Sequence, residues 1–213
     1  MKRPNRFIAE VQIDGKIQIC HVKNTGRCKE LLLPGATVYV ERAENPDRKT
    51  AWDLIAVYKG DMLVNIDSAV TNAVAEEYLQ SSFPDALCIK REVFFGHSRF
   101  DFYIETADRR IFAEVKSVTL ENEGIASFPD APTERGRKHL FELILAKEQG
   151  YEALLLFVVQ MKGTKGFLPN DENDPAFGKA LRQAKDKGVT VKVLECTVLP
   201  DELKITAELP LLF

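Results

Sequence analysis

The feature that most constrains this chain is a change of periodicity at Asp67. Before it, apolar residues recur only in short alternating runs. After it, longer runs with helical spacing are interleaved with strands. Phe7–Ile13, Lys16–Val22, Ala36–Arg42, Trp52–Tyr58 and Met62–Ile66 read as five strands with turns every few residues, Asp14-Gly15 being a strong hairpin signal. That pattern predicts a small sandwich or barrel over residues 1–67, and a five-stranded oligonucleotide-binding (OB) barrel belongs to that class. In residues 68–213, helices are expected over Ser68–Gln80, from Thr133 to Gly150, and from Asp174-Pro175 to Gly188. They alternate with strands at Cys88–Phe94, Arg99–Glu105, Arg110–Val118, Glu152–Gln160 and Val189–Leu194, and residues 121–132 read as a loop. The fold class is therefore mixed α/β (α+β), with an N-terminal barrel and an α/β part built on a mixed sheet.

The two runs around Ala107-Asp108-Arg109 fix their own register. Pairing Glu105 with Arg110 sets Ile104 against Ile111, Phe102 against Ala113 and Phe100 against Val115, which makes one face wholly apolar. On the other face Asp101 falls beside Glu114, and Arg99 beside Lys116. Opposed Cβ atoms lie about 5 Å apart, so the two carboxylates need a counter-charge. Lys116 and Arg99 supply one on a solvated face. A divalent cation supplies one at a functional site, because Mg²⁺ takes one or two carboxylates together with water and phosphate oxygens.

Other segments carry two readings. Asn24-Thr25-Gly26-Arg27 is an ordinary turn or a phosphate-binding loop, glycine allowing close approach and Arg27 a bidentate grip. Arg135, Arg137, Lys138 and His139 crowd the start of a helix, where cations oppose the dipole. They form a solvated basic face or a grip on nucleic acid. Cys20, Cys28, Cys88 and Cys196 have no metal-binding spacing and read as free thiols of a cytoplasmic protein. No secretory signal and no membrane span is expected.

Several motifs run in order along nearly the whole chain: Asn24–Arg27, Glu30-Leu31-Leu32, Asn45–Thr50, Val64–Ser68, Ser98–Phe102, Glu114–Leu120, Phe128–Ala131, Thr133–Leu140, Val158–Gln160 and Asp174–Phe177. Together they resemble the sugar fermentation stimulation protein (SfsA) family. Asp101 with Glu114-Val115-Lys116 resembles the PD-(D/E)xK nuclease pattern. The resemblance implies an OB-fold nucleic-acid-binding domain followed by a PD-(D/E)xK nuclease-like domain. It implies a DNA-binding protein with a metal-dependent phosphodiester-cleaving site: Asp101, Glu114 and the Val115 carbonyl on Mg²⁺ (or Mn²⁺), Lys116 at the reacting phosphate, and Glu77 or Glu76 as an extra acid. Asn24, Thr25, Gly26, Arg27, Arg99, Arg135, Arg137, Lys138 and His139 would meet DNA. The alternatives are a non-catalytic DNA-binding regulator of sugar (maltose) metabolism genes and an enzyme acting on a phosphorylated sugar. Oligomeric state stays open, a homodimer included.

Charge argues against a broad nucleic-acid footprint. The chain carries 29 Lys and Arg against 32 Asp and Glu, a net of −3. Residues 1–67 hold 11 against 9, and the rest 18 against 23. Any grip on DNA is therefore local, modest and dependent on divalent metal.

Overall fold

A computed structural model of the chain describes residues 2–45 and 47–213, so Pro46 of the Asn45–Thr50 motif lies outside the described residues. The N-terminal part is built from β1 (Lys2–Asn5), β2 (Ile8–Ile13), β3 (Lys16–Val22), β4 (Val38–Arg42), β5 (Trp52–Lys59) and β6 (Met62–Asn65). They pair in the order β1-β2-β3-β5-β4, with β6 on β5. The expected small all-β N-terminal part is present, with six strands in place of the five expected. A sixth strand precedes the others, and among the described residues no pairing joins β1 to β4 or β6. One edge of β5 is shared, its start taken by β3 in parallel and its end by β6. That division leaves β1 as a free edge.

The second part begins with α1 (Thr71–Ser82), then β7 (Cys88–Phe95), β8 (Ser98–Glu105) and β9 (Arg110–Val118). The expected loop at 121–132 instead holds two strands, β10 (Leu120–Asn122) and β11 (Ile125–Phe128). After α2 (Glu134–Glu148) come β12 (Glu152–Val159), β13 (Gly166–Pro169), α3 (Pro175–Asp186), β14 (Thr190–Val198) and β15 (Leu203–Leu209). The main sheet runs β15-β14-β12-β9-β8-β7 and is mixed, with β9, β12 and β14 parallel. A smaller sheet, β10-β11-β13, flanks it.

Strand β12 is buried on both faces, as its continuous apolar run predicts. Leu154 and Leu156 pack towards α1 with Val74, Leu79, Ile104 and Ile111. Leu155 and Phe157 pack on the other side with Leu140 and Leu143 of α2 and with Phe177. That second core is continuous with Ala9, Val11, Cys20 and Leu54 of the N-terminal part. Burying a Leu or Phe contributes about 1.5–3 kcal/mol, so the two parts are held to each other by the same force that builds each. Thr133 caps α2 by accepting from the Gly136 N–H at 3.0 Å, and Asp174 caps α3 by accepting from the Phe177 N–H at 2.9 Å.

Candidate functional site

The β8–β9 ladder follows the predicted register from Glu105↔Arg110 to Phe102↔Ala113 and then ends. Phe100 is therefore not set against Val115. It turns to the α2 side and packs on Phe112 and the edge of His139. The break is where the site lies. Val115 N–H points at β8, and the Asp101 carboxylate takes it, Oδ2 accepting at 2.8 Å. The Val115 carbonyl shares that strand edge, beyond the last paired residues. Oδ1 of Asp101 accepts from Asn72 Nδ2, 2.9 Å away on the first turn of α1.

Glu114 and Lys116 point towards α2. Glu114 is 2% exposed. Its Oε1 accepts from both Lys116 Nζ and His139 Nδ1, and Lys116 Nζ lies 3.4 Å from that ring nitrogen. Arg135 Nε donates to His139 Nε2 at 3.4 Å. A ring that accepts at Nε2 carries its proton on Nδ1, the tautomer that donates to Glu114. Oε2 of Glu114 is buried with no hydrogen-bond partner among the described residues.

These contacts separate the two acids. Burial pushes the Asp101 carboxyl above its ordinary value and the Glu114 charge adds to it, against the opposing pull of Val115 N–H, Asn72 and Lys116. Burial also works against ionised Glu114. Lys116 and His139 outweigh it, and its carboxyl lies below the usual value. The two acids are therefore shifted in opposite directions, Asp101 up and Glu114 down.

Among the described residues no cluster of three or more His, Cys, Asp or Glu is gathered for metal. Two carboxylates and a backbone carbonyl suffice for Mg²⁺, which keeps several waters. The unpartnered Oε2 of Glu114 and the raised Asp101 both fit a cation between them.

The site floors a recess of about 430 Å³ between the two parts of the chain. Asn24, Thr25 and Gly26 form one wall, and Arg135 and His139 stand on another. The Asn24 loop is tied down twice. Its amide donates to Ile66 O at 3.0 Å, and Asp130 Oδ2 accepts the N–H groups of Arg27 and Cys28 at 2.6 and 3.1 Å. Gly26 is required by this approach, since a Cβ there would lie 2.6 Å from Asp130 Oδ2.

The remaining candidates stand elsewhere. Glu77 is exposed; it lies five residues, about 140° round the helix, from Asn72. Glu76 is paired with Arg91. Arg99 is exposed and pairs with Glu92 at 2.6 Å, because the end of the ladder carries it away from Lys116. Arg137 is held by Asp174 at 3.0 Å, and Lys138 donates to His97 O at 2.6 Å. Arg27 contributes only backbone to the wall.

Two residues of the site escape sequence reasoning about charge. Asn72 is a neutral amide. Gln160 is fully buried at the end of β12; its amide donates to Asn65 Oδ1 at 2.8 Å and Asp67 O at 3.0 Å, and its oxygen accepts from Thr71 and Ser117. The only prior signal for Gln160 was its place in the Val158–Gln160 motif.

Two family models match in succession: the SfsA N-terminal OB domain over residues 1–66 and the sugar fermentation stimulation protein RE domain over residues 69–202. A sugar fermentation stimulation protein homolog of Clostridium beijerinckii is 53% identical, the match covering 95% of this chain and 91% of that protein. A homolog from Desulfitobacterium hafniense is 54% identical, covering 96% and 90%. The structure of Pyrococcus furiosus SfsA, described as in complex with Ca²⁺, superposes with a TM-score of 0.90 at 29% identity, covering 100% of this chain and 94% of that one.

Proposed function

The chain belongs to the sugar fermentation stimulation protein (SfsA) family, and on that premise we propose that its cleft binds DNA and hydrolyses a phosphodiester bond at a Mg²⁺-dependent site. The observation that carries this reading is the unpartnered, buried Oε2 of Glu114 beside a desolvated Asp101. The archaeal relative's description as a Ca²⁺ complex supports it, since Ca²⁺ and Mg²⁺ are both hard cations that take oxygen ligands.

Asp101, Glu114 Oε2 and the Val115 carbonyl would hold the cation. Once bound, it acidifies a water and polarises the phosphoryl group. Asn72 and Val115 N–H orient Asp101. His139 occupies Glu114 Oε1 and so leaves Oε2 for the cation. The water oxygen forms a new bond to phosphorus, the bond to one sugar oxygen breaks, and the proton lost by water is matched by the one the leaving oxygen gains. Lys116 Nζ, poised beside Glu114, offsets the negative charge that grows on the phosphate oxygens. Arg135, on the recess wall, is placed to hold a flanking phosphate.

The test is incubation of plasmid and single-stranded DNA with Mg²⁺ or Mn²⁺. Wild type is expected to cut, and Glu114→Ala and Lys116→Ala to lose at least about 100-fold, the scale of one electrostatic transition-state contact. No cutting by wild type defeats hydrolysis and leaves the non-catalytic regulator, and normal cutting by both variants defeats the assignment of the reaction to this site.

A further inference from the structure

The shape of the recess says which form of DNA it admits. Resting on the reading above, we infer that the site takes DNA as a single strand, or as a nucleotide drawn out of a duplex, and is closed to an intact double helix.

Three observations carry this. First, the reacting groups are deep. Glu114 is 2% exposed, and the Lys116 side chain is 14% exposed. In a duplex the phosphates lie on the outside of a stiff rod, with persistence over about 150 base pairs. Such a rod meets the rim of a recess before its phosphates meet the floor.

Second, the recess is walled on several sides. Thr25 and Gly26 come from the N-terminal part, Asn72 from α1, Pro132 from the approach to α2 and Arg135 from its first turn. The wall between the two parts is pinned by Asp130, whose Oδ2 accepts from Arg27 and Cys28 across the junction. The cavity of about 430 Å³ falls within the roughly 300–1,000 Å³ that suits one small ligand. A nucleotide is of that class, and a double helix is not.

Third, the cations are few. Of the basic side chains lining the recess, Lys116 is engaged by Glu114, while Arg6 and Arg135 have no ion pair among the described residues. Two guanidinium groups match one or two phosphates of a threaded strand. They are far from the six to ten or so contacts of a protein that tracks a duplex.

The experiment measures binding first, so that it does not depend on cutting. A labelled single strand, the same sequence as a blunt duplex, and the duplex with a single-stranded tail are titrated by fluorescence anisotropy with the full chain in Ca²⁺, a hard cation that takes oxygen ligands. The single strand and the tailed duplex are expected to bind about tenfold or more tighter than the blunt duplex, the cost of opening a base pair being the difference. The plot of log affinity against log salt should have a shallow slope, about −1 to −2. Asp130→Ala, which unpins the wall, should shrink the preference at least about threefold, while Asp130→Asn, which keeps an acceptor, should retain it. Circular dichroism melting of both variants checks that they fold.

Equal or tighter binding of the blunt duplex by wild type overturns the inference, and so does a preference that the folded Asp130→Ala variant leaves unchanged. Cutting with Mg²⁺ is then measured on the same three substrates. If none is cut but the strand preference holds, hydrolysis fails while this inference stands. If blunt duplex is cut internally as fast as single strand, hydrolysis stands while this inference fails.

Discussion

Replacing Gln160 with leucine should destabilise the whole chain, because one side chain bolts its two parts together beside the site. Gln160 is fully buried, and its amide bonds to Asn65 and Asp67 on one side and to Thr71 and Ser117 on the other. Leucine has similar volume, so the packing cost is small. The cost is polar. Asn65 Oδ1 keeps a donor, the Asp67 N–H at 2.9 Å. The Asp67 carbonyl and the Ser117 and Thr71 hydroxyls lose theirs. At about 1–3 kcal/mol for each buried group left unmade, with the 3.3 Å Thr71 contact and the half-buried Ser117 hydroxyl on the recess wall counting least, the loss is about 3–4 kcal/mol. That is a large share of a typical stability of about 5–15 kcal/mol. Urea unfolding followed by circular dichroism reads it as a fall in midpoint of about 1–2 M, for a slope near 3 kcal/mol/M. Gln160→Glu keeps the shape but sets a carboxylate oxygen against two acceptors, and it should cost at least as much at neutral pH. A loss under about 1 kcal/mol for both variants would refute the reasoning.

Three further outcomes follow from other contacts. Asp174 lies below its ordinary carboxyl value: burial opposes its charge, but the Thr133 and Phe177 N–H groups and Arg137 outweigh burial. Its stabilisation is therefore full above the unfolded value of about 4 and is lost as pH falls through the lower folded value; Asp174→Asn should be less stable than wild type at pH 7, and the gap should narrow below about pH 4 in chemical denaturation. Gly26→Ala forces a Cβ to within 2.6 Å of Asp130 Oδ2 and should cost about 1–3 kcal/mol in thermal melts while weakening DNA binding; an unchanged protein would contradict the close approach. Burial pushes the thiols of Cys20, Cys28 and Cys196 up to about 11, 12 and 12, so alkylation of the native protein at pH 8 should label only half-buried Cys88, as mass spectrometry will read; labelling of the other three before unfolding would count against the core.

The hairpin was legible because apolar alternation leaves it one register, and the observed pairs from Glu105↔Arg110 to Phe102↔Ala113 follow that register. Its end was not legible. There a side chain, Asp101, takes the hydrogen bond that a backbone carbonyl would take, and alternation carries no mark of that exchange. The helices were read well where caps announce them, at Thr133 and Asp174. Strands β11 and β13 were missed because each is four residues long and their pairing joins Ile125 to Gly166, far apart in sequence. Strand β15 was missed although Leu203, Ile205, Ala207 and Leu209 alternate strictly with Lys204, Thr206 and Glu208, a period-2 signal that the sequence does display. At the site, charge pointed to Asp101, Glu114 and Lys116, and could not point to Asn72 or Gln160. Their role is to satisfy buried acceptors and donors, which a sequence does not display.

The central claim is that Asp101 and Glu114 hold a divalent cation, and a crystal grown with Mn²⁺ tests it most directly. An anomalous peak is predicted within about 2.0–2.3 Å of an Asp101 oxygen and of Glu114 Oε2, with His139 still on Oε1. No peak between the two carboxylates at millimolar Mn²⁺, with Lys116 alone neutralising Glu114, would contradict it.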